Sequence, residues 1–490
     1  MSFNLGIRYE VETAVDVPNK DFVGFDHRTG EMVLPANVSG RQRIEAFYRD
    51  VRPDIKLRFD PHDKMYDADR NNFSPRFGFA YQLHRRMVVR GGFGIFYTGP
   101  QVSWIVATDF APNTLRPIWT GDQVRPVIVL PDGSEIPTGY NPEGSGGPEA
   151  TVRYPAPLTI FPIYTRDFPY ARNHQWLLSW QTQVTNTLMV EAQYLGSRTN
   201  HLLGFTNTNT ALDPAPGAVQ SRLPYPSFAR LQGLTMGMDG WFNGLALKAE
   251  KRASRGLSFL ASYTWSQALD TGSTVEAAPL WTDPRKWWET AKGPSTYDAP
   301  HRFVLSYQYE LPVGRGRSFG SSLSPVLDHV LGGWGVRGIT FFQTGFAYDP
   351  SVSIARANIC AAACSARADR VADGNIPKDV RTANGLSSDT NVAFWDYNAF
   401  VLPPLTAPRL GNAGRGVLRG PGLNNWDLGV FKNFRVREWG SLEFRYEMFN
   451  AWNHAQFIAP SSSLESRATF GKITSTQPPR ISQFVLKLSF

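Results

Sequence analysis

The sequence predicts an all-β chain, a transmembrane antiparallel up-and-down β-barrel with long extracellular loops. Three observations predict it. Twelve segments alternate apolar and polar residues with period two, the connections between them alternate long and short, and the composition is rich in aromatics and poor in charge. Aromatics make up 13% and charged residues 19% of the 490 residues, against about a quarter charged in an average soluble domain. A mean hydropathy of −0.29 fits such a wall, since only every second residue of a barrel strand is apolar. No window holds the ~20 apolar residues of a spanning helix.

The strands are justified in order by their apolar faces. The first is 2–10 (Phe3, Leu5, Ile7, Tyr9), followed by 75–82 (Phe77, Phe79, Tyr81) and 87–97 (Met87, Val89, Phe93, Ile95, Tyr97). Next come 174–183 (Trp176, Leu178, Trp180), 187–196 (Leu188, Val190, Ala192, Tyr194) and 242–250 (Leu245, Leu247). Segments 257–266 (Phe259, Tyr263, Trp265) and 301–311 (Phe303, Leu305, Tyr307, Tyr309) continue the pattern, and 334–346 breaks it at Phe341-Phe342, leaving its register open. The last three are 426–435, 441–450 (Leu442, Phe444, Tyr446, Met448) and 481–490, where Phe484, Leu486, Leu488 and Phe490 step back from the terminus. Each is close to the ~10 residues a tilted membrane strand needs. Parity puts Glu191, Lys248, Glu250, Arg302, Glu310, Glu443, Arg445, Glu447 and Lys487 on the opposite, lumen-side face.

Short turns near 83–86, 184–187, 251–256 and 437–440 alternate with connections spanning 11–73, 98–172, 197–240, 267–300, 347–425 and 451–480; 312–333 is of middling length. In an up-and-down barrel alternate connections emerge at opposite ends. The long ones therefore share one end, the asymmetry of outer-membrane barrels, with short periplasmic turns and long external loops. Loops longer than about 15 residues are uncommon in compact soluble domains. The C-terminus then falls on the periplasmic side. Tyr97, Trp176, Trp265 and Trp426 lie on the apolar face near the long-loop ends, where an aromatic girdle belongs.

Other chemistry is sparse. The net charge is +8 without a basic block, so no nucleic-acid footprint is expected. Cys360 and Cys364, in CAAAC, suit a small loop disulfide in an oxidising compartment, or else are two ordinary thiols. The run DPHDKMYDAD (60–69) lacks EF-hand spacing and reads as a solvated loop, and no metal or cofactor is expected. GGFG (91–94) and GRGRSFG (314–320) lack a Walker lysine. Trp281, Trp287 and Trp288, near Lys286 and Lys292, are candidates for stacking on a sugar ring or an aromatic siderophore, or for packing their own loop over the barrel mouth.

The runs NNFSPRFGFAYQL (71–83), RGGFGIFYTGP (90–100), RGLSFLASYTWSQALD (255–270), YDAPHRFVLSYQYELPVGRGR (297–317), GNAGRGVLRGPGLNNWDLGVFKNF (411–434) and EFRYEMFNAWNHAQF (443–457) resemble the barrel of TonB-dependent receptor-like proteins. The nearest group is the Oar-like type with an N-terminal carboxypeptidase-regulatory-like domain. The resemblance implies the C-terminal portion, about half, of an about 22-stranded barrel, with the family's plug domain, TonB box and signal peptide not visible within residues 1–490. It implies a non-enzymatic receptor/transporter of the outer membrane taking up a nutrient of siderophore or oligosaccharide class. Expected partners are outer-membrane lipid, the barrel assembly machinery through the strand ending at Phe490, and TonB where a plug lies upstream; the chain is expected to be a monomer. A surface barrel for adhesion or assembly, or a passive pore, is the alternative. A secreted all-β carbohydrate-active enzyme would need paired carboxylates about 5–10 Å apart, which the Asp and Glu positions do not suggest.

Overall fold

A computed structural model describes the chain except residues 18–19, 21, 51, 100–126, 130–134, 138–156, 165, 274–289, 362–363, 386–391 and 437–439. Its main feature is one large sheet whose path runs through twelve sequential antiparallel strands. These are β1 (Ser2–Glu10), β2 (Asn72–His84), β3 (Met87–Thr98), β4 (Ala171–Gln183), β5 (Leu188–Asn207) and β6 (Phe228–Ser254). They continue as β7 (Leu257–Asp270), β8 (His301–Glu310), β9 (Trp334–Gln343), β10 (Leu423–Val436), β11 (Gly440–Phe449) and β12 (Ile481–Ser489). Each predicted segment coincides with one of them. Among the described residues β1 pairs only with β2 and β12 only with β11, so the path is open at both edges.

The register carries one apolar face across the sheet. Leu5, Phe77, Phe93 and Trp176 are successive partners from β1 to β4. Tyr194, Leu245 and Trp265 continue the face through β5 to β7, and Val430, Tyr446 and Phe484 through β10 to β12. The register of β9, open in the sequence, is resolved. Phe342 faces Phe303 within the apolar face, and Phe341 pairs with Val304 on the other. The nine charged residues assigned to the lumen side share that other face. Glu443 is opposite Lys487 there, but its ion partner is Arg445 at 3.1 Å, and Arg337 holds Glu447 at 2.7 Å.

Apolar side chains on the first face stay exposed, among them Leu5, Leu178, Trp265 and Phe484. The largest fully buried side chains, such as Trp395, Phe470, Met32, Leu34 and Ile160, lie instead in the long connections or in the long-connection ends of β5 and β6. The chain thus keeps its water-excluded core in a cap and turns the wall's apolar face outward. In water that face would be an aggregation surface; against hydrocarbon it is matched.

The cap corrects the expectation of plain loops. Within 11–71, strands Gly24–Asp26, Glu31–Pro35 and Leu57–Asp60 form a small sheet, crossed over by helix α1 (Arg41–Asp50). Ile44, Phe47 and Tyr48 give α1 one apolar stripe, and Arg41 pairs with Glu45 one turn on at 2.8 Å. This unit packs on Ile160 and Ile163 of strand Leu158–Ile163, which adds in parallel to β6. β6 is therefore 27 residues long rather than nine, because residues 228–239 leave the wall and enter the cap. A second cap core gathers Trp395, Phe400, Leu418, Leu464 and Phe470. Helices α2 (Pro325–Leu331) and α3 (Lys378–Ala383) were not predicted; both are under two turns long.

Glycine is required at two wall positions. Arg255 and Gly256 form the two-residue turn between β6 and β7 with φ of 52° and 81°, the conformation of a type I′ turn, and a Cβ on Gly256 would sit 2.6 Å from the Glu310 carbonyl oxygen. Gly196 leaves room for the Trp176 indole, which crosses it on the apolar face.

Leu247→Arg places a charge on the apolar face and is expected to destabilise the bilayer-inserted sheet by about 2–4 kcal/mol, whereas Ala246→Arg, one residue away on the polar face, is expected to be near neutral; denaturant titration in liposomes separates them. Trp395 is fully buried and donates from Nε1 to the Arg419 carbonyl at 2.7 Å. Trp395→Ala is expected to cost the cap about 3–5 kcal/mol, read as new proteolytic cuts in 347–422 with the heat-modifiable gel shift of the wall unchanged.

Candidate functional site: a cationic cleft at the rim

Where β8, β9 and β10 run into the cap, a cleft of about 1010 Å³ opens. Its cations come from distant parts of the chain: Arg302 from β8, Lys378 and Arg381 from α3, and Arg419 from the approach to β10. His301 and His454 join them, and no carboxylate is among the described lining residues. Phe394 and Phe457 supply apolar wall, and Phe303 and Phe342 bound the cleft where the outward apolar face of β8 and β9 meets the cap. The Arg302 guanidinium lies 5.0 Å from the Phe341 ring centre and that of Arg381 3.7 Å from Phe394. Stacking of this kind holds a cation without neutralising it. Burial pushes the Arg381 pKa down from its ordinary value, so this charge gains from an anion that replaces lost water.

A set of arginines fixes the cleft, Arg367 and Arg415 buried and Arg419 half-buried. Arg419 binds the Asp298 carboxylate at 2.7 Å and its carbonyl at 2.9 Å, and Asp298 also accepts from the Ala268 amide at 2.7 Å. Arg415 pairs with Asp270 and donates to the carbonyls of Asp270 and Ala291. Arg367 donates to Thr290 and Ala413 carbonyls at 2.8 and 3.0 Å; burial lowers its pKa, opposed by Asp349 and reinforced by the neighbouring Arg415 charge. These contacts tie the 347–422 connection to the end of β7 and to the 271–300 connection. Arg356 grips Glu465 through Nε and Nη2 at 2.8 and 2.7 Å and links the 451–480 connection to the same unit.

The stacking tryptophans Trp281, Trp287 and Trp288 lie outside the described residues. Cys360 and Cys364 are joined as a disulfide beside Ile359 and Ala366 in the cap. The carboxylates of 60–69 do not converge on a cation site: Asp60 accepts from the His62 amide at 2.9 Å, Asp63 is 3.7 Å from Lys20, and Asp69 accepts from the Tyr170 amide at 2.9 Å. Among the described residues no group of three or more His, Cys, Asp or Glu is placed to hold a metal. The cleft's cations were missed as a group because they come from three separate places in the chain, 302, 378/381 and 419. Their arrangement suits binding an anion.

Hydrogen bonds from Arg356 and the Ser353 amide hold the Glu465 carboxyl below its ordinary value of 4.5. A depressed carboxylate stabilises fully above its unfolded pKa and loses this as pH falls through the folded one. The Ser353 amide is therefore expected to stay protected from hydrogen exchange between pH 7 and about 5 and to lose protection below about 4; Glu465→Gln is expected to remove the pH dependence.

The match of a family model, Outer membrane beta barrel domain, covers residues 1–483. No curated protein matches the chain. Among solved structures it is similar to the outer membrane transporter YddB from Escherichia coli, at 9% identity and a TM-score of 0.43, over 86% of this chain and 41% of that one. It is also similar to the FrpB iron transporter from Neisseria meningitidis, at 11% identity and a TM-score of 0.42, over 99% and 52%. The chain thus spans about two-fifths to a half of these structures. With the family model matched along almost its whole length, the chain belongs to the outer membrane β-barrel domain family and is a component of the outer membrane.

Proposed function

We propose that the chain is the ligand-admitting C-terminal portion of an outer-membrane receptor/transporter of the TonB-dependent type, taking up a nutrient without transforming it. The observation that carries this reading is the cleft: cations and aromatic rings set at the long-connection end of a wall whose inner face is polar. With the cap outside the cell, a ligand meets the cleft before the lumen. The cations favour the siderophore class, with its carboxylate and phenolate oxygens, over neutral oligosaccharides. Open sheet edges do not occur in hydrocarbon, where unpaired backbone groups cost several kcal/mol. β1 and β12 are therefore read as edges joined by further strands of a wider barrel, of about 22 strands. TonB would act through a plug domain supplied with those strands, and the barrel assembly machinery would engage β12 and Phe490. The Cys360–Cys364 bridge fits assembly in an oxidising compartment.

The test is fluorescence quenching of the full chain in detergent by ferric citrate and a ferric catecholate, with maltoheptaose as the neutral probe. Saturable quenching by an anionic chelate, weakening with salt, is expected. Arg302→Ala or Arg381→Ala is expected to weaken it about 10- to 100-fold, the loss of one charged hydrogen bond of about 1.5–3 kcal/mol. Preference for maltoheptaose, or equal binding by both variants, overturns the reading.

A further inference from the structure

The connection between β8 and β9 lies at the short-turn end, opposite the cap, and holds α2. Ser324 caps it by accepting from the Leu327 amide, and Pro325 opens it. Its sequence, PVLDHVL, exposes Val326, Leu327, Val330 and Leu331, with Val326 74% and Val330 60% accessible, and Phe319 beside it is exposed as well. Four exposed aliphatic side chains on seven residues do not belong in water.

The side of the wall on which α2 lies is fixed by Lys432. Register puts Lys432 on the apolar face, opposite Trp334 in β9 and Phe444 in β11. It is 4% exposed, and its ammonium donates to the carbonyls of Val330 and Gly332 at 2.9 and 2.7 Å. The Trp334 indole donates to the same Val330 carbonyl at 2.9 Å. The lysine lies 4.8 and 5.0 Å from the ring centres of Trp334 and Phe434. The C-terminal carbonyls of α2 thus satisfy a cation on the lipid-facing side of β10, and α2 must hang outside the wall, not across the lumen.

We propose that α2 is a membrane-interface anchor, seating Val326, Leu327, Val330 and Leu331 in the acyl–headgroup boundary of the leaflet at the short-turn end. Its occupant is lipid because its aliphatic face continues the apolar face of β9, β10 and β11 through Trp334, Phe434 and Phe444. Short helices with one aliphatic face lie in the bilayer plane at this depth. In the same connection Arg315 and Arg317 are exposed, Arg317 pairing with Glu310 of β8 at 3.1 Å.

The proposal is tested on the full chain folded into phosphatidylethanolamine/phosphatidylglycerol vesicles, with a nitroxide on Val330→Cys, the native cysteines being paired. Val326→Cys serves as a second site in case the first folds poorly, and Asn186→Cys, in the short turn between β4 and β5, as the aqueous control. An oxygen-to-nickel-chelate collision ratio several-fold above that of Asn186→Cys is expected at both helix sites. A ratio equal to the control overturns the proposal. Shielding from both quenchers overturns it too, and assigns the face to a protein partner.

Discussion

Everything in this molecule depends on one alternation held in register: each residue's partner on the next strand points to the same side. Because the shift from Leu5 to Phe77 to Phe93 to Trp176 never slips by one, one face remains apolar from β1 to β12. A slip of a single residue would exchange the faces and put the Arg337, Arg445, Glu443 and Glu447 network into hydrocarbon. Backbone pairing and side-chain sorting are therefore the same constraint, and the short two-residue turns such as Arg255-Gly256 enforce it locally.

The wall was legible in the sequence because its two faces meet different media, which writes period two directly into the chain. The cap was not, because its segments are buried on both sides. Residues 228–239 of β6 show why: Leu231, Leu234, Met236 and Met238 are all buried, on both parities, and Gly233 and Gly237 interrupt them. Helix α1 did carry a signal in Ile44, Phe47 and Tyr48, submerged in a stretch taken whole as a connection. Helix α2 is too short for its period to show. The cleft shares the cap's difficulty, since Arg302, Arg381 and Arg419 become neighbours only through tertiary structure.

The cap also explains how a polar rim is held still over a wall that faces lipid. The cleft is not stiffened by its own side chains. Arg367 and Arg415 behind it, and Arg419 at its edge, spend their donors on backbone carbonyls or on buried carboxylates, while Arg302, Lys378 and Arg381 have no acid partner among the described residues. Buried charges that are paired lock position, and unpaired ones at the opening keep their field for a ligand.

The long connections all leave and re-enter the wall at one end, and the strands they join are held at the other end by short turns or, between β8 and β9, by the connection that carries α2. Insertions or deletions in a connection therefore leave the register untouched. Lineages carrying this wall are free to exchange ligand preference by lengthening, trimming or rewriting the cap while the hairpins beneath keep their spacing. Divergence among homologues should accordingly concentrate between β7 and β8, between β9 and β10, and between β11 and β12, with turn residues such as Gly256 drifting least.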